Sequence, residues 1–299
     1  MLEELDSAGE IKLATERLLA KAAARGRLPT PVDDLVEAAG LTEPAESILS
    51  ESVLRRAPKH IRDAVAPFKF KVKALLDRSA REIHVAEDIE HHSQRDYKRL
   101  HEVGHHILPS QRKLAYADDN RTLSWTINTR FEQAANQAAA ELFFQRELFR
   151  RIATDYQIGI AAIVELSELF GASIHATFRR YVETHRSAMA GIVLDPSPVR
   201  RVPLTYHRRE AVHSPEWARR FAAPRSWPSH LHVADYAFLA AADQTPVCAS
   251  SPRLEIAWPA LNGERPTLLV ESFSNSYRLF VLLWRSRHEV LKRRRTLVA

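Results

Sequence analysis

The chain has 299 residues, 45% of them hydrophobic, enough for one large or two to three small domains around a sizeable core. Its lone cysteine, Cys248, excludes an internal disulfide and fits a reducing, cytoplasmic setting; the acidic start MLEELDSAGE has no secretory apolar region, and runs such as Leu279 to Trp284 fall far short of the ~20 residues of a membrane span, so no membrane partner is expected. A net charge of +6 is compatible with an anionic partner and equally with a merely soluble basic surface.

From the N-terminus, Glu10 to Ala24 is Ala- and Leu-rich with an amphipathic period, and Pro29, Thr30 and Pro31 separate it from a second short helix, Val32 to Ala39. Ser47 to Arg78 is helix-prone but broken by Pro58 and Pro67. Arg81 to Asp88, REIHVAED, alternates Ile83 and Val85 with polar residues and predicts a short half-exposed strand.

The next stretch, Ser93 to Pro109, carries His101, Glu102 and His105 as H-E-x-x-H. On a helix the two histidines project from one face a turn apart, where two imidazoles can grip one metal ion. Zinc takes neutral imidazoles and in catalytic sites keeps three protein ligands and an open position. Glu102, next to the first histidine, is suited to reach the water at that position and act as general base. Ser93 and Asp96 resemble a capping box, and Tyr97, Leu100, Gly104 and Leu108 form a helical stripe closed by Pro109. Gly104 costs roughly 1 kcal/mol of helix propensity against Ala, which predicts a close approach to the backbone there. With 14 histidines in the chain the motif can arise by chance, so a third ligand is needed. His84, His91 and His92 lie nearby without requiring a role.

A polar connection containing Asp118, Asp119 and Asn120 leads to a second helix from near Thr129, TRFEQAANQAAAELFFQRELFRR, with Phe131, Ala135, Ala138, Leu142 and Phe149 on one stripe and small residues from Ala134 to Ala140 that admit a close neighbour. Two readings of Glu132 stay open: the last member of a T-x-x-E capping box with Thr129, or the third metal ligand. Asn136 shares its face and is the candidate to orient it.

Taken together, DYKRLHEVGHHILP and FEQAANQAAAELFF, with Glu132 placed 27 residues after His105, resemble the ImmA/IrrE metallopeptidase family, whose pattern is R-F-T-x-A-H-E-x-G-H-x-x-L followed by E-x-x-A-N-x-F-A-A-x-L-L-M-P. His101, Glu102, Gly104, His105, Leu108, Glu132, Ala135, Asn136, Ala139, Ala140 and Leu142 match; Asp96, Lys98, Leu100, Ala138, Phe143, Phe144 and Gln145 depart. The resemblance spans about Leu13 to His185 and is most specific from Arg81 to Phe144. It implies Zn²⁺ held by His101, His105 and Glu132, Glu102 as catalytic base, and a helix-turn-helix transcriptional repressor as protein substrate, cut to release a stress-response or mobile-element regulon.

Beyond this, Leu166, Leu169 and Phe170, a Gly171-Ala172 turn, and Ile174, Phe178, Tyr181 and Val182 after a capping Ser173 have helix-turn-helix spacing. Arg179 and Arg180 are placed to meet phosphates, although DNA is not expected to be required. From Pro196 onward, Pro198 and Pro203 lead to strands at Arg253 to Trp258 and Thr267 to Phe273, joined through Asn262 and Gly263; Leu279 to Trp284 is a third strand or the start of a tail helix. Trp258 and Trp284 read as core. Basic residues cluster at Arg200 and Arg201, at Arg208 and Arg209, and from Arg285 through Lys292 to Arg295. Relatives of the resembled family carry a GAF-like sensor here, and no motif in this stretch matches one.

The expected architecture is α+β, mostly α: a zincin-like metallopeptidase core over 1–155, a helix-turn-helix-like unit over 156–195 and a small regulatory α+β domain over 196–299. The expected function is an intracellular zinc endopeptidase, for which His106 and His175 are candidate oxyanion stabilisers. Its rivals are a DNA-binding regulator with a structural or sensory metal, and an interaction module that never cuts.

Overall fold

A computed structural model describes residues 7–56, 74–89, 91–111, 125–196, 205–221 and 227–285. The breaks at Pro58 and Pro67, the connection through Asp118, Asp119 and Asn120, the pair Arg200 and Arg201, the spacers Pro198 and Pro203, and the tail from Lys292 lie outside the described residues. Among the described residues no single helix is long and apolar enough to cross a membrane. The architecture mixes helix and sheet in two compact units, Met1–Phe149 with Glu168–Ser173, and Arg150–Ser167 with Ile174–Ala299.

In the first unit, α1 (Ser7–Lys21), α2 (Val32–Ala38) and α3 (Glu51–Arg56) precede a two-stranded antiparallel sheet of β1 (Ala74–Asp77) and β2 (Glu82–Val85). β1 corrects the helical reading of the stretch that ends at Arg78. β2 is more buried than its alternation suggested, because Thr42 adds a bridge along its free edge and Ile83 donates to the Thr42 carbonyl at 2.8 Å. Then come α4 (His92–Ile107) and α5 (Trp125–Phe143). Leu108, just past the end of α4, and Ala138 of α5 join Ile11 of α1 in one cluster of buried side chains.

The polar side of α4 is fixed by charge. Arg99 donates to Asp33 at 2.6 Å and to Asp96 at 3.2 Å and forms an ion pair with Glu43, and Arg95 also reaches Glu43 at 2.8 Å. Asp96 is thereby occupied by Arg99 and by His92, 2.6 Å away, so the expected capping box does not form: His91 is the N-cap and Ser93 lies inside the helix. At the other end Arg78 donates to the His105 carbonyl at 3.2 Å, a cation placed where the helix dipole favours one.

α5 stops at Phe143 rather than running on through Arg151, and α6 (Glu147–Asp155) starts afresh. The break is held by Gln145, at φ 46°, which accepts from Gly26 N at 2.7 Å and donates to the Arg27 carbonyl at 2.8 Å and to Thr30 Oγ1 at 3.1 Å. Phe144, Phe149 and Phe170 stack around one another behind it, with ring centroids 5.0–5.8 Å apart.

α7 (Ile160–Phe170) and α8 (Ile174–Thr184) turn through 115° at Gly171, whose φ of 64° is the left-handed conformation that ends many helices. The strands of the second unit are β3 (Met189–Pro196), β4 (Thr205–His213), β5 (His230–His232), β6 (Leu254–Ala257), β7 (Thr267–Ser274) and β8 (Leu279–Arg285), in the spatial order β5-β4-β3-β8-β7-β6 with every pair antiparallel. The boundary expected at 195/196 therefore cuts through β3, and the α+β part is not small: the helix-turn-helix-like segment supplies α8 as a cover for this sheet. β3 and β8 read as nearly unbroken apolar runs because both faces are buried. Ala190, Ile192, Leu194, Val281 and Leu283 face Trp217 of α9 (Pro215–Arg220) and Phe238 and Leu239 of α10 (Ala237–Asp243). On the opposite face Gly191 lies so close beneath α8 that a Cβ there would be 2.5 Å from the Phe178 ring.

The basic pair Arg208 and Arg209 lies on β4, where Arg208 donates to the Trp227 carbonyl and Arg209 pairs with Asp195 at 3.3 Å. Leu279 to Trp284 is strand, and the hairpin from β6 to β7 carries Gly263 at φ 81° as the Asn-Gly signal anticipated. Trp284 is buried, and Trp258 packs on Trp227 at the edge of the core.

Candidate metal centre

The centre is built on α4 and α5, which pack without an intervening side chain at one point. Gly104 faces Ala135 and Ala138; a Cβ on Gly104 would stand 2.9 Å from the Ala135 carbonyl oxygen and 3.3 Å from the Ala138 Cβ. This is the close approach that a glycine inside a helix announced, and the alanines of α5 supply the other half. The two helices are thus near enough for a carboxylate from one to meet a pair of imidazoles from the other.

His101 Nε2 and His105 Nε2 are 3.1 Å apart, and Glu132 brings Oε2 to 3.3 Å of the first and Oε1 to 3.4 Å of the second. Among the described residues this is the one group of three or more such side chains able to share a metal ion. The spacing fits: donors held at about 2.0–2.2 Å around a tetrahedral ion lie roughly 3.3–3.6 Å from one another. Two imidazole nitrogens and one carboxylate also form a donor set that suits zinc. The capping-box reading of Thr129 and Glu132 fails, because α5 already runs from Trp125 and Thr129 lies within it.

The charges are tuned by contact. Hydrogen bonds from His101 and His105 hold the Glu132 carboxyl far below the usual carboxylate range. Burial, the largest single influence on His105, would lower it, but the hydrogen bonds to Glu132 and Gln111 with the Glu132 and Glu102 charges outweigh that and raise it. Glu102 is buried beside this group, and burial pushes its carboxyl up despite the two neighbouring imidazoles. A carboxylate kept dry next to a triad that could hold a metal ion is placed to exchange a proton.

Other candidates go elsewhere. Asn136 donates to the Glu132 backbone carbonyl at 2.8 Å instead of orienting its carboxylate. His84 is buried and accepts from Ile48 N at 3.3 Å. His106 lines a 330 Å³ groove with Leu13, Arg17 and Lys21 of α1. His175 belongs to the second unit, between Glu210 at 2.8 Å and Arg278 at 3.1 Å. Gln111, which sequence reading passed over, contacts His105 Nδ1 at 2.5 Å; no motif singles out a glutamine six residues after its partner.

Residues 61–181 match the IrrE N-terminal-like domain family, Peptidase_M78. This segment belongs to the ImmA/IrrE metallopeptidase family. The IrrE-like segment includes both helices of the centre and reaches into α8. No curated protein matches the chain. A Mycobacterium tuberculosis transcriptional regulator of known structure is similar with a TM-score of 0.52 at 10% identity, over 93% of this chain and 76% of its own. At that identity the likeness shows a shared fold alone.

Removing the IrrE-like segment's exposed carboxylate tests the triad directly. Glu132→Ala is expected to weaken zinc binding by more than the roughly 100-fold typical of losing a partner one step removed from a metal. Chelator competition on the purified chain reads this, and wild-type affinity in the variant would remove Glu132 from the centre.

Proposed function

We propose that this chain is an intracellular zinc endopeptidase with a zincin-like core, and that its substrate is a helix-turn-helix transcriptional repressor whose cleavage releases a regulon. The observation that carries the reading is the meeting of Glu132 with His101 and His105 at donor-donor separations that suit zinc. Membership of the IrrE-like segment in a metallopeptidase family supports it.

His101, His105 and Glu132 would hold the ion. When bound it supplies Lewis acidity at the scissile carbonyl and lowers the pKa of a water toward ~7. The chain's own residues do the rest. Glu102 takes a proton from the attacking water onto its carboxylate as the new C–O bond forms. It then passes that proton to the amine nitrogen as the C–N bond breaks, which restores the carboxylate. Burial that raises the Glu102 carboxyl favours both halves of this exchange, since the group must accept as well as return the proton. Gly104 keeps α4 and α5 at the separation that the shared triad requires.

A second reading, a DNA-binding regulator with a structural or sensory metal, draws on the fold shared with the M. tuberculosis transcriptional regulator and on Arg179 and Arg180 of α8. Against it, Arg179 is engaged by Glu183 at 3.0 Å and Glu210 at 2.8 Å, and DNA is not expected to be required for the activity proposed. The test is incubation of the zinc-loaded chain with the helix-turn-helix repressor encoded beside its own gene, with products read by mass spectrometry. A single new pair of termini is expected. Zinc-loaded chain that leaves the repressor intact while shifting DNA with a steep salt dependence would replace the peptidase by the regulator.

A further inference from the structure

The two histidines of the centre are not held alike. His101 Nδ1 is buried with no hydrogen-bond partner among the described residues, whereas His105 Nδ1 meets Gln111 Oε1 at 2.5 Å. Gln111 is itself buried, in a helical stretch just after α4, and its amide nitrogen donates to the Phe131 carbonyl at 3.0 Å. Phe131 is the residue before Glu132.

These contacts fix the direction of the protons on the Gln111 amide and on His105 Nδ1. A backbone carbonyl only accepts, so the Gln111 NH₂ group must face Phe131. The amide oxygen then faces His105, and because it too only accepts, Nδ1 must carry the hydrogen. A neutral imidazole with hydrogen on Nδ1 has its lone pair on Nε2. That nitrogen is the one turned toward His101 Nε2 and Glu132. The reverse amide orientation would set two carbonyl oxygens against each other and is excluded.

We propose that Gln111 is a positioning residue: it selects the His105 tautomer that can ligate, fixes the plane of the ring, and ties that ring to the backbone one residue before the carboxylate of the triad. This rests on the metal-site reading above and deepens it. A hydrogen-bonded partner on the outer nitrogen of a ligating histidine sets ring orientation and raises ligand basicity. Here one amide does so while also bridging the two helices that supply the donors.

The experiment uses the full chain with Gln111→Met, which keeps length and burial but cannot make either hydrogen bond, and Gln111→Glu, which still accepts from His105 Nδ1 but cannot donate to Phe131. Histidine side-chain nitrogen NMR on metal-free protein at a pH where His105 is neutral reads the tautomer, and chelator competition reads zinc affinity. In Gln111→Met, His105 is expected to shift toward hydrogen on Nε2 and zinc affinity to fall about 10- to 100-fold. In Gln111→Glu the Nδ1 hydrogen is expected to persist. An unchanged tautomer and unchanged affinity in Gln111→Met would overturn the proposal, as would loss of the Nδ1 hydrogen in Gln111→Glu, which decides the matter even if the Met variant fails to fold. Failure of the metal-site reading looks different: the wild type itself would not bind zinc, while the metal-free tautomer would still report on Gln111.

Discussion

Glu102→Gln is expected to lower kcat by about 10²- to 10⁴-fold while leaving zinc content unchanged. The substitution keeps the shape of the side chain and removes only its ability to take a proton. Glu102 is not one of the three residues whose donor atoms converge, so the ion should stay. Parallel measurement of metal content and cleavage of whichever repressor the wild type cuts separates the two roles. Near wild-type turnover in a metal-loaded variant would end the proposed mechanism.

The same residue sets a pH limit and a stability trend. Because burial raises the Glu102 carboxyl, its base form disappears at a higher pH on acidification than an ordinary glutamate near 4.3 would, so the acid limb of kcat/KM in the wild type should lie above that value. For stability the sign follows from linkage. An acid whose folded pKa is raised favours the fold when protonated, and that contribution is lost as pH rises through the unfolded and then the folded pKa. At neutral pH the ionised Glu102 is therefore a burden on the metal-free fold, and Glu102→Gln should melt no lower than wild type. A variant as stable as its parent and catalytically dead would mark Glu102 as a group kept for chemistry.

Much of the centre was legible because its chemistry is local. His101, Glu102 and His105 share a helix, and helical period alone fixes their faces. Glu132 was only half legible: its residue type and position allowed a ligand, but so did a capping box, and the choice turned on where α5 begins. Trp125 to Ile127 are weak helix formers that propensity would place outside the helix, yet they extend it, so Thr129 lies inside it rather than at its start. Gln111 was invisible, since its two partners are fixed by the packing of α5 across α4 and not by spacing along the chain. In the second unit β7 and β8 carried period or apolar runs, whereas β4, with His207, Arg208, Arg209 and Glu210 in sequence, reads as a basic surface until its pairing with β3 is known. β3 was hidden for the opposite reason: a strand buried on both faces has no alternation to detect.

Gly104→Ala is expected to destabilise the first unit by about 1–2 kcal/mol and to weaken zinc binding along with it, although alanine is the better helix former. Propensity alone favours alanine by up to ~1 kcal/mol at an interior helical position. Overpacking a tight contact costs about 1–3 kcal/mol, and here the obstruction is not a side-chain tip that can swing aside. The new methyl would stand 2.9 Å from the Ala135 carbonyl oxygen and 3.2 Å from the Ala135 Cα, both backbone atoms of α5. Relief therefore requires α5 to move away from α4, and the carboxylate of Glu132 moves with it, away from a pair of imidazoles that stay behind on α4. The metal-binding loss distinguishes this from simple destabilisation, which would lower the melting temperature without changing the affinity of molecules that remain folded. Chemical denaturation of the metal-free chain gives the first quantity and chelator competition the second. If Gly104→Ala proves more stable than wild type at unchanged affinity, the helix contact is not what sets the distance between the carboxylate and the imidazoles.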